Sequence, residues 1–178
     1  MTKHVYSKGM FENVCLAIKV ALDLNIDKET IKKTLPFLSF EGRFQYLNKG
    51  KIKNRLHKNE IIMIDGAHAT ADAQNLAAYL KNIKIPKYGI WAMTKNKEPD
   101  LFIKQLKGVF KKVVTMPIEN EINSVTANDL YKVATKNKFK VEKSNNFKEA
   151  LKKISSKEKK LIVCFGSLYN CGNILNKN

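Results

Sequence analysis

Residues 61–65 read I-I-M-I-D and residues 161–166 read L-I-V-C-F-G. Both runs are apolar at nearly every position and far shorter than a membrane span. A strand that is apolar on both faces has no side to give to water, so it must lie in a parallel sheet with helices above and below it. The rest of the chain fits that demand by alternating. Strands are predicted at Ile61–Asp65, Tyr88–Met93, Val113–Ile118, Phe139–Lys143 and Leu161–Gly166. Helices are predicted over about Asp72–Asn82, Pro99–Phe110, Thr126–Asn137 and Phe147–Ser155. Pro99 suits a first helical turn and Thr126 an N-cap. The fold class is therefore α/β, a Rossmann-like, mostly parallel sheet flanked by helices.

The first forty residues differ in texture. M-F-E-N-V-C-L-A-I-K-V-A-L-D-L (10–24) spaces its apolar residues as an amphipathic helix. A second helix follows, with Asp27 as its N-cap and Pro36 ending it. This makes an N-terminal α-helical extension, residues 1–40, ahead of an α/β body, residues 41–178, with a hinge near Phe40–Phe44. At the junction R-F-Q-Y-L (43–47) alternates, and G-K-I-K-N-R-L-H-K (50–58) reads as a hairpin or loop.

The formal charge of +17 raises nucleic acid as a partner. The kind of cation argues against it. Of the 33 basic residues only Arg43 and Arg55 are arginine, whereas readers of phosphate and bases favour the bidentate guanidinium. Scattered lysine interleaved with asparagine reads as solvated surface. No apolar run reaches the roughly 18 residues of a membrane helix, and the start M-T-K-H-V-Y-S-K-G-M lacks a signal peptide's apolar core. The cytoplasm is the expected compartment. Cys15, Cys164 and Cys171 form no C-x-x-C and are expected as buried, reduced thiols.

In open parallel sheets ligands bind at the carboxyl ends of the strands. Here those ends are D-G-A-H (65–68), M-T-K-N-K-E (93–98), M-P-I-E (116–119) and G-S-L-Y-N-C-G (166–172). Two readings of the first remain open. Asp65 or Thr70 caps a helix while His68 fills space, or the turn holds a ligand at a helix N-terminus, which suits an anion. Likewise Ser167 reads either as an N-cap or as a site residue, and Lys97 either as surface or as site. Within these residues there is no G-x-x-x-x-G-K-S/T phosphate loop. The Gly50–Lys51 pair has Gln45 in place of the first glycine and Ile52 in place of Ser or Thr. No G-x-G-x-x-G follows a strand, and no His, Cys, Asp or Glu group has metal-ligand spacing.

G-R-F-Q (42–45), the strand ending in D-G-A-H (65–68) and C-F-G-S-L-Y-N-C-G (164–172) together resemble the C-terminal third of folylpolyglutamate synthase/dihydrofolate synthase. That enzyme belongs to the Mur ligase superfamily of ATP-dependent amide ligases. The leader G-M-F-E-N-V-C-L-A-I (9–18) resembles a segment near the end of the family's central ATPase domain. The resemblance implies a Mur ligase C-terminal α/β domain preceded by a helical remnant of the central domain. It further implies ATP with Mg2+ as cofactors, and L-glutamate joined to a folate or dihydropteroate carboxylate through an acyl phosphate. The phosphate loop and metal ligands would lie in the central domain, supplied from upstream. By motif, Arg43, Asp65 and His68 would face the nucleotide, and Ser167, Tyr169 and Lys97 the amino acid or substrate. Catalytic residues would be absent from this chain, which alone would be inactive. The alternative is another Mur-type ligase, or a non-catalytic binding module.

The departures are specific. Ala69 and Thr70 stand where the family continues Asn-Pro, Glu41 stands where a proline precedes Gly-Arg, and the stretch between Gln45 and the D-G-A-H strand is longer than in the family. Leu16, Ile18 and Leu22 would pack on the central domain, so an exposed apolar patch, or a dimer covering it, is expected on the leader helix.

Overall fold

The structure is a computed structural model that describes residues 7–178. The first ten residues, read above as lacking a signal peptide, thus fall partly outside the described residues. The chain divides into two compact units, Met1–Glu41 and Gly42–Asn178.

The first unit holds α1 (Lys8–Asp23) and α2 (Lys28–Thr34), followed by a 3-10 turn at Leu35–Phe37. Ser7 caps α1 by accepting from the Met10 amide. Asp27 caps α2, accepting from both the amide and the hydroxyl of Thr30. Leu16 and Leu22 are exposed, with Phe11, Val20 and Leu24. Ile18 is half-buried and lines a shallow apolar groove with Ile31 and Leu35. Cys15, expected to be buried, is exposed, because it lies away from the buried positions Met10 and Val14 of α1.

The second unit is a six-stranded sheet in the order β1-β2-β6-β3-β4-β5. Its strands are β1 (Gln45–Tyr46), β2 (Glu60–Asp65), β3 (Lys87–Trp91), β4 (Lys112–Thr115), β5 (Val141–Lys143) and β6 (Lys160–Phe165). All neighbours pair in parallel except β1, which runs antiparallel to β2. The apolar runs that opened the sequence are β2 and β6, and they pair with each other from Glu60↔Lys160 to Asp65↔Phe165.

The period-two alternation of strands sorts the core into two faces. Ile62, Ile64, Ile90, Val114, Ile162 and Cys164 point to one. There they meet Phe147, Leu151 and Ile154 of α7 (Phe147–Ile154), Cys171 and Ile174 of α8 (Leu168–Leu175), and Ile52 of α3 (Lys51–Arg55). Trp91 and Phe165 point to the other and stack with Phe102 of α5 (Pro99–Lys104). Packed beside α5 are α4 (Thr70–Lys81) and α6 (Ala127–Lys136). Removing a large apolar side chain from either layer would cost about 2–5 kcal/mol.

Two expectations change. Residues 51–55, expected as hairpin or loop, form α3. Gly50 at φ 103° turns the chain, Ile52 is buried, and Asn178 accepts from the amides of Lys51 and Ile52 through its backbone and side-chain oxygens. The helix expected over Pro99–Phe110 keeps α form only to Lys104, and Gly108, at φ 76°, turns the chain back toward β4. Pro99 and Thr126 hold the N1 and N-cap positions assigned to them.

Candidate functional site

The carboxyl ends of β2, β3 and β6 lie side by side in the sheet, and their loops build the site. At the end of β2, Asp65 is 1% exposed. One carboxylate oxygen accepts from the Ala67 amide at 2.7 Å and the other from the Phe44 amide at 2.8 Å. The Gly66 amide donates to the Gly42 carbonyl at 2.6 Å, so the turn after β2 is fastened twice to the 42–45 loop.

That loop is shaped by left-handed residues. Gly42 has φ 68° and Phe44 has φ 46°, a region costly for a side chain with a Cβ. Phe44 is held there by its bond to Asp65 and by its buried ring, which packs edge-to-face on Tyr79 at 4.9 Å. Arg43, between the two, is left half-exposed, its guanidinium 3.8 Å from the Asp72 carboxylate.

Asp65 is therefore held by backbone amides on both of its oxygens. It sits beneath the surface and positions the loop that carries Arg43. Burial is the main influence on its carboxyl, raising it from the ordinary value of 3.8 to about 6 against the opposing pull of the two backbone bonds and Arg43. Burial also pushes the nearby Cys171 thiol up to about 12, assisted by the Asp65 charge.

Neither Asp65 nor Thr70 caps α4. The N-cap is Ala69, which has no side-chain acceptor. Asp72, in the first turn, reaches back to accept from the amides of His68 at 3.2 Å and Ala69 at 3.3 Å. A carboxylate at this position is what a capping box uses at its third helical residue, and it also complements the helix dipole. Asp72 thus ties His68, Arg43 and the start of α4 together. Its place three residues after Ala69 is the sequence signal for that role.

His68 Nδ1 lies 2.8 Å from the Gly66 carbonyl. A carbonyl only accepts, so Nδ1 carries the proton and Nε2 is left for a ligand. His68 lines a cavity of about 260 Å³ together with Lys97, Ser167 and Tyr169. Four of the six residues singled out by sequence thus meet in one place. Arg43 and Asp65 do not line it, but Arg43 shares Asp72 with His68. Ser167 is buried and caps α8, accepting from the Tyr169 amide at 3.1 Å; Tyr169 is exposed. Ser167 is thus the N-cap of α8 and also part of the cavity lining.

The loop after β4 adds two lining residues beyond those singled out by sequence. Glu121 and Asn123 line the cavity as well. Their loop is fastened to the one after β3, because the Asn123 carbonyl accepts from the Lys95 amide and the Met93 carbonyl from the Val125 amide, both at 2.8 Å. Thr94 donates to the Asn96 side-chain oxygen, and both residues line the cavity with Lys97. Glu121 and Asn123 both lie beyond the M-P-I-E stretch (116–119) singled out by sequence.

The arrangement offers a lysine cation, hydroxyls, a carboxylate and an imidazole nitrogen free to accept at the ends of parallel strands, the chemistry of a polar-ligand site. At about 260 Å³ the cavity is below the roughly 300–1,000 Å³ of a complete small-molecule site, so it has the dimensions of one wall of a cleft. Among the described residues no group of three or more His, Cys, Asp or Glu side chains is placed to hold a metal ion. No helix among them is long and apolar enough to cross a membrane.

Comparison with known proteins agrees on the fold. Folylpolyglutamate synthase of Mycobacterium tuberculosis, solved with ADP and AMPPCP, superposes with a TM-score of 0.81 at 18% identity over 97% of this chain and 40% of that one. The enzyme of Thermotoga maritima gives 0.69 at 23% identity over 95% and 38%. Escherichia coli FolC in complex with DHPP and ADP gives 0.69 at 16% over 85% and 34%. The chain spans about two fifths of the length of the first of these. No curated protein sequence matches it significantly. The family described as the C-terminal domain of dihydrofolate synthetase matches residues 48–177, which run from the end of the Arg43 loop through every strand end that forms the site. With the Mur ligase-type α/β fold and that match in hand, the chain belongs to the dihydrofolate synthetase C-terminal domain family.

Proposed function

We propose that this chain is the nucleotide- and amino-acid-facing part of an ATP-dependent folylpolyglutamate synthase/dihydrofolate synthase, which joins L-glutamate to a folate or pteroate carboxylate. The observation that carries the reading is the meeting of His68, Lys97, Ser167 and Tyr169 in one half-cavity beside Arg43. The family match and the ligands of the solved neighbours support it. Those include ADP and DHPP in one structure, and Mn, AMPPNP and L-glutamate in another.

In this reading Arg43 contacts nucleotide phosphate or stacks on the adenine, two roles suited to a planar, permanently charged fork. His68 offers Nε2 to the nucleotide or the glutamate. Lys97 neutralises a carboxylate or phosphate, and Ser167 and Tyr169 orient the amino acid. Asp65 acts through the backbone of residues 42–44, and Asp72 holds Arg43 and His68 at a common spacing. ATP, when bound, supplies the phosphoryl group that turns the acceptor carboxylate into an acyl phosphate. Magnesium would be held by the nucleotide and by residues outside this chain. So would the phosphate loop, in a central domain of which α1 and α2 are the end.

Titration of the 15N-labelled chain with ADP, then L-glutamate, tests this. Amide shifts are expected at Arg43, His68 and Lys97 with ADP, and at Tyr169 with L-glutamate. Shifts confined to other parts of the sheet would refute the reading. The chain alone is expected to give no ADP release dependent on folate and glutamate.

A further inference from the structure

A second cavity, of about 740 Å³, lies between α3 and α7 and shares no lining residue with the His68 site. Its volume is that of a complete small-molecule site. Ile52, Phe147 and Leu151 contribute apolar, buried surface to it.

Cations line the rest. Lys51 and Arg55 are four residues apart on α3, and Lys148 and Lys152 are four apart on α7, a spacing that puts each pair on one face of its helix. None of the four side chains has a hydrogen-bond or acidic partner among the described residues. The neighbouring lysines that do not line the cavity are satisfied. Lys153 pairs with Glu149 at 2.9 Å, and Lys53 donates to the Glu60 carbonyl at 2.7 Å. The single carboxylate in the lining, Glu119, is already engaged by Lys177 and by the Phe147 amide. The cavity therefore pairs an apolar surface with an uncompensated positive field.

We propose that the α3–α7 cavity binds a small organic anion, a phosphate or carboxylate head carried on an aryl or alkyl body. The head would sit among Arg55, Lys148 and Lys152, with the body against Ile52, Phe147 and Leu151. Bare anions lack the apolar half of this contact. A neutral hydrocarbon lacks the charged half.

Titration of the 15N-labelled chain with 2-naphthyl phosphate, and separately with inorganic phosphate, tests the proposal. Saturable amide shifts are expected within residues 51–55 and 147–152, with the naphthyl ester binding at least about tenfold more tightly than phosphate. Arg55→Glu and Lys152→Glu, both exposed in the fold, should each weaken the ester by about tenfold while leaving the thermal midpoint in place. Equal affinity for the two probes would reduce the cavity to a charged surface and overturn the proposal. So would shifts confined to residues 66–68, 94–97 and 167–169, or undiminished binding by both variants.

Discussion

Asp65 bears more of the architecture of this site than any other side chain, and it does so out of reach of solvent. Its two oxygens are the acceptors for Phe44 and Ala67, so Asp65→Asn would turn an amide nitrogen toward one of two N–H donors. Leaving one buried donor unsatisfied costs about 1–3 kcal/mol, and we expect that loss in chemical denaturation. The pH profile gives an independent check. The folded carboxyl ionises near pH 6, against about 3.9 in an unfolded chain. Between these values the folded state binds more protons, so this group makes stability fall as pH rises from about 4 to 6 and leaves it level above. Asp65→Asn should remove that slope, and a slope unchanged in the variant would show that the carboxyl titrates normally. Burial also separates the three thiols. Cys15 is exposed, whereas Cys164 and Cys171 are buried with thiols pushed well up. One thiol should react quickly with an aromatic disulfide reagent in the native protein and three in denaturant.

Secondary structure was legible where burial repeats along the chain. I-I-M-I-D and L-I-V-C-F revealed β2 and β6 because a doubly buried strand has no alternative composition, and the helices between strands followed from spacing and caps. In contrast α3 was not legible, since K-I-K-N-R offers one apolar residue and relies on Asn178, at the far end of the chain, to accept its first amides. The site divides in the same way. Strand ends could be placed from pattern alone, so His68, Lys97, Ser167 and Tyr169 were singled out, and the fold brings them to one cavity. Glu121 and Asn123 were not singled out, because a polar loop carries no period, and the burial of Asp65 was not legible because a motif letter does not reveal it. A charged pair at the opposite end of β2 and β6 shows the same limit. Glu60 and Lys160 are fully buried, 3.8 Å apart, at the first register position of the two strands. Glu60 also accepts from Ser155, Ser156 and His57, and Lys160 donates to the Ile154 carbonyl. Lys160→Met would strand a buried carboxylate, at a cost of about 3–5 kcal/mol. Adding Glu60→Gln removes that charge while keeping an acceptor, so the double variant should be more stable than Lys160→Met alone. Additive losses in a double-mutant cycle would show that the pair is uncoupled.

Across the whole chain two properties pull in opposite directions. The formal charge of +17 disfavours contact between copies, while α1 presents Leu16 and Val20 one turn apart with Leu24 at its end, all exposed. An exposed apolar face of this kind is stabilised by burial against another apolar surface, and a second copy of the chain offers one. Self-repulsion between net-positive copies is screened over about 10 Å at 0.1 M salt and over about 3 Å at 1 M. Apolar contact is not weakened by that screening. Sedimentation should therefore show association that grows with protein concentration and strengthens as salt is raised. Ion pairing between copies would give the opposite salt dependence. Leu16→Glu with Val20→Glu should restore the monomer without shifting the unfolding of residues 42–178. A wild-type chain that stays monomeric at high concentration and high salt would mean that this face needs no partner.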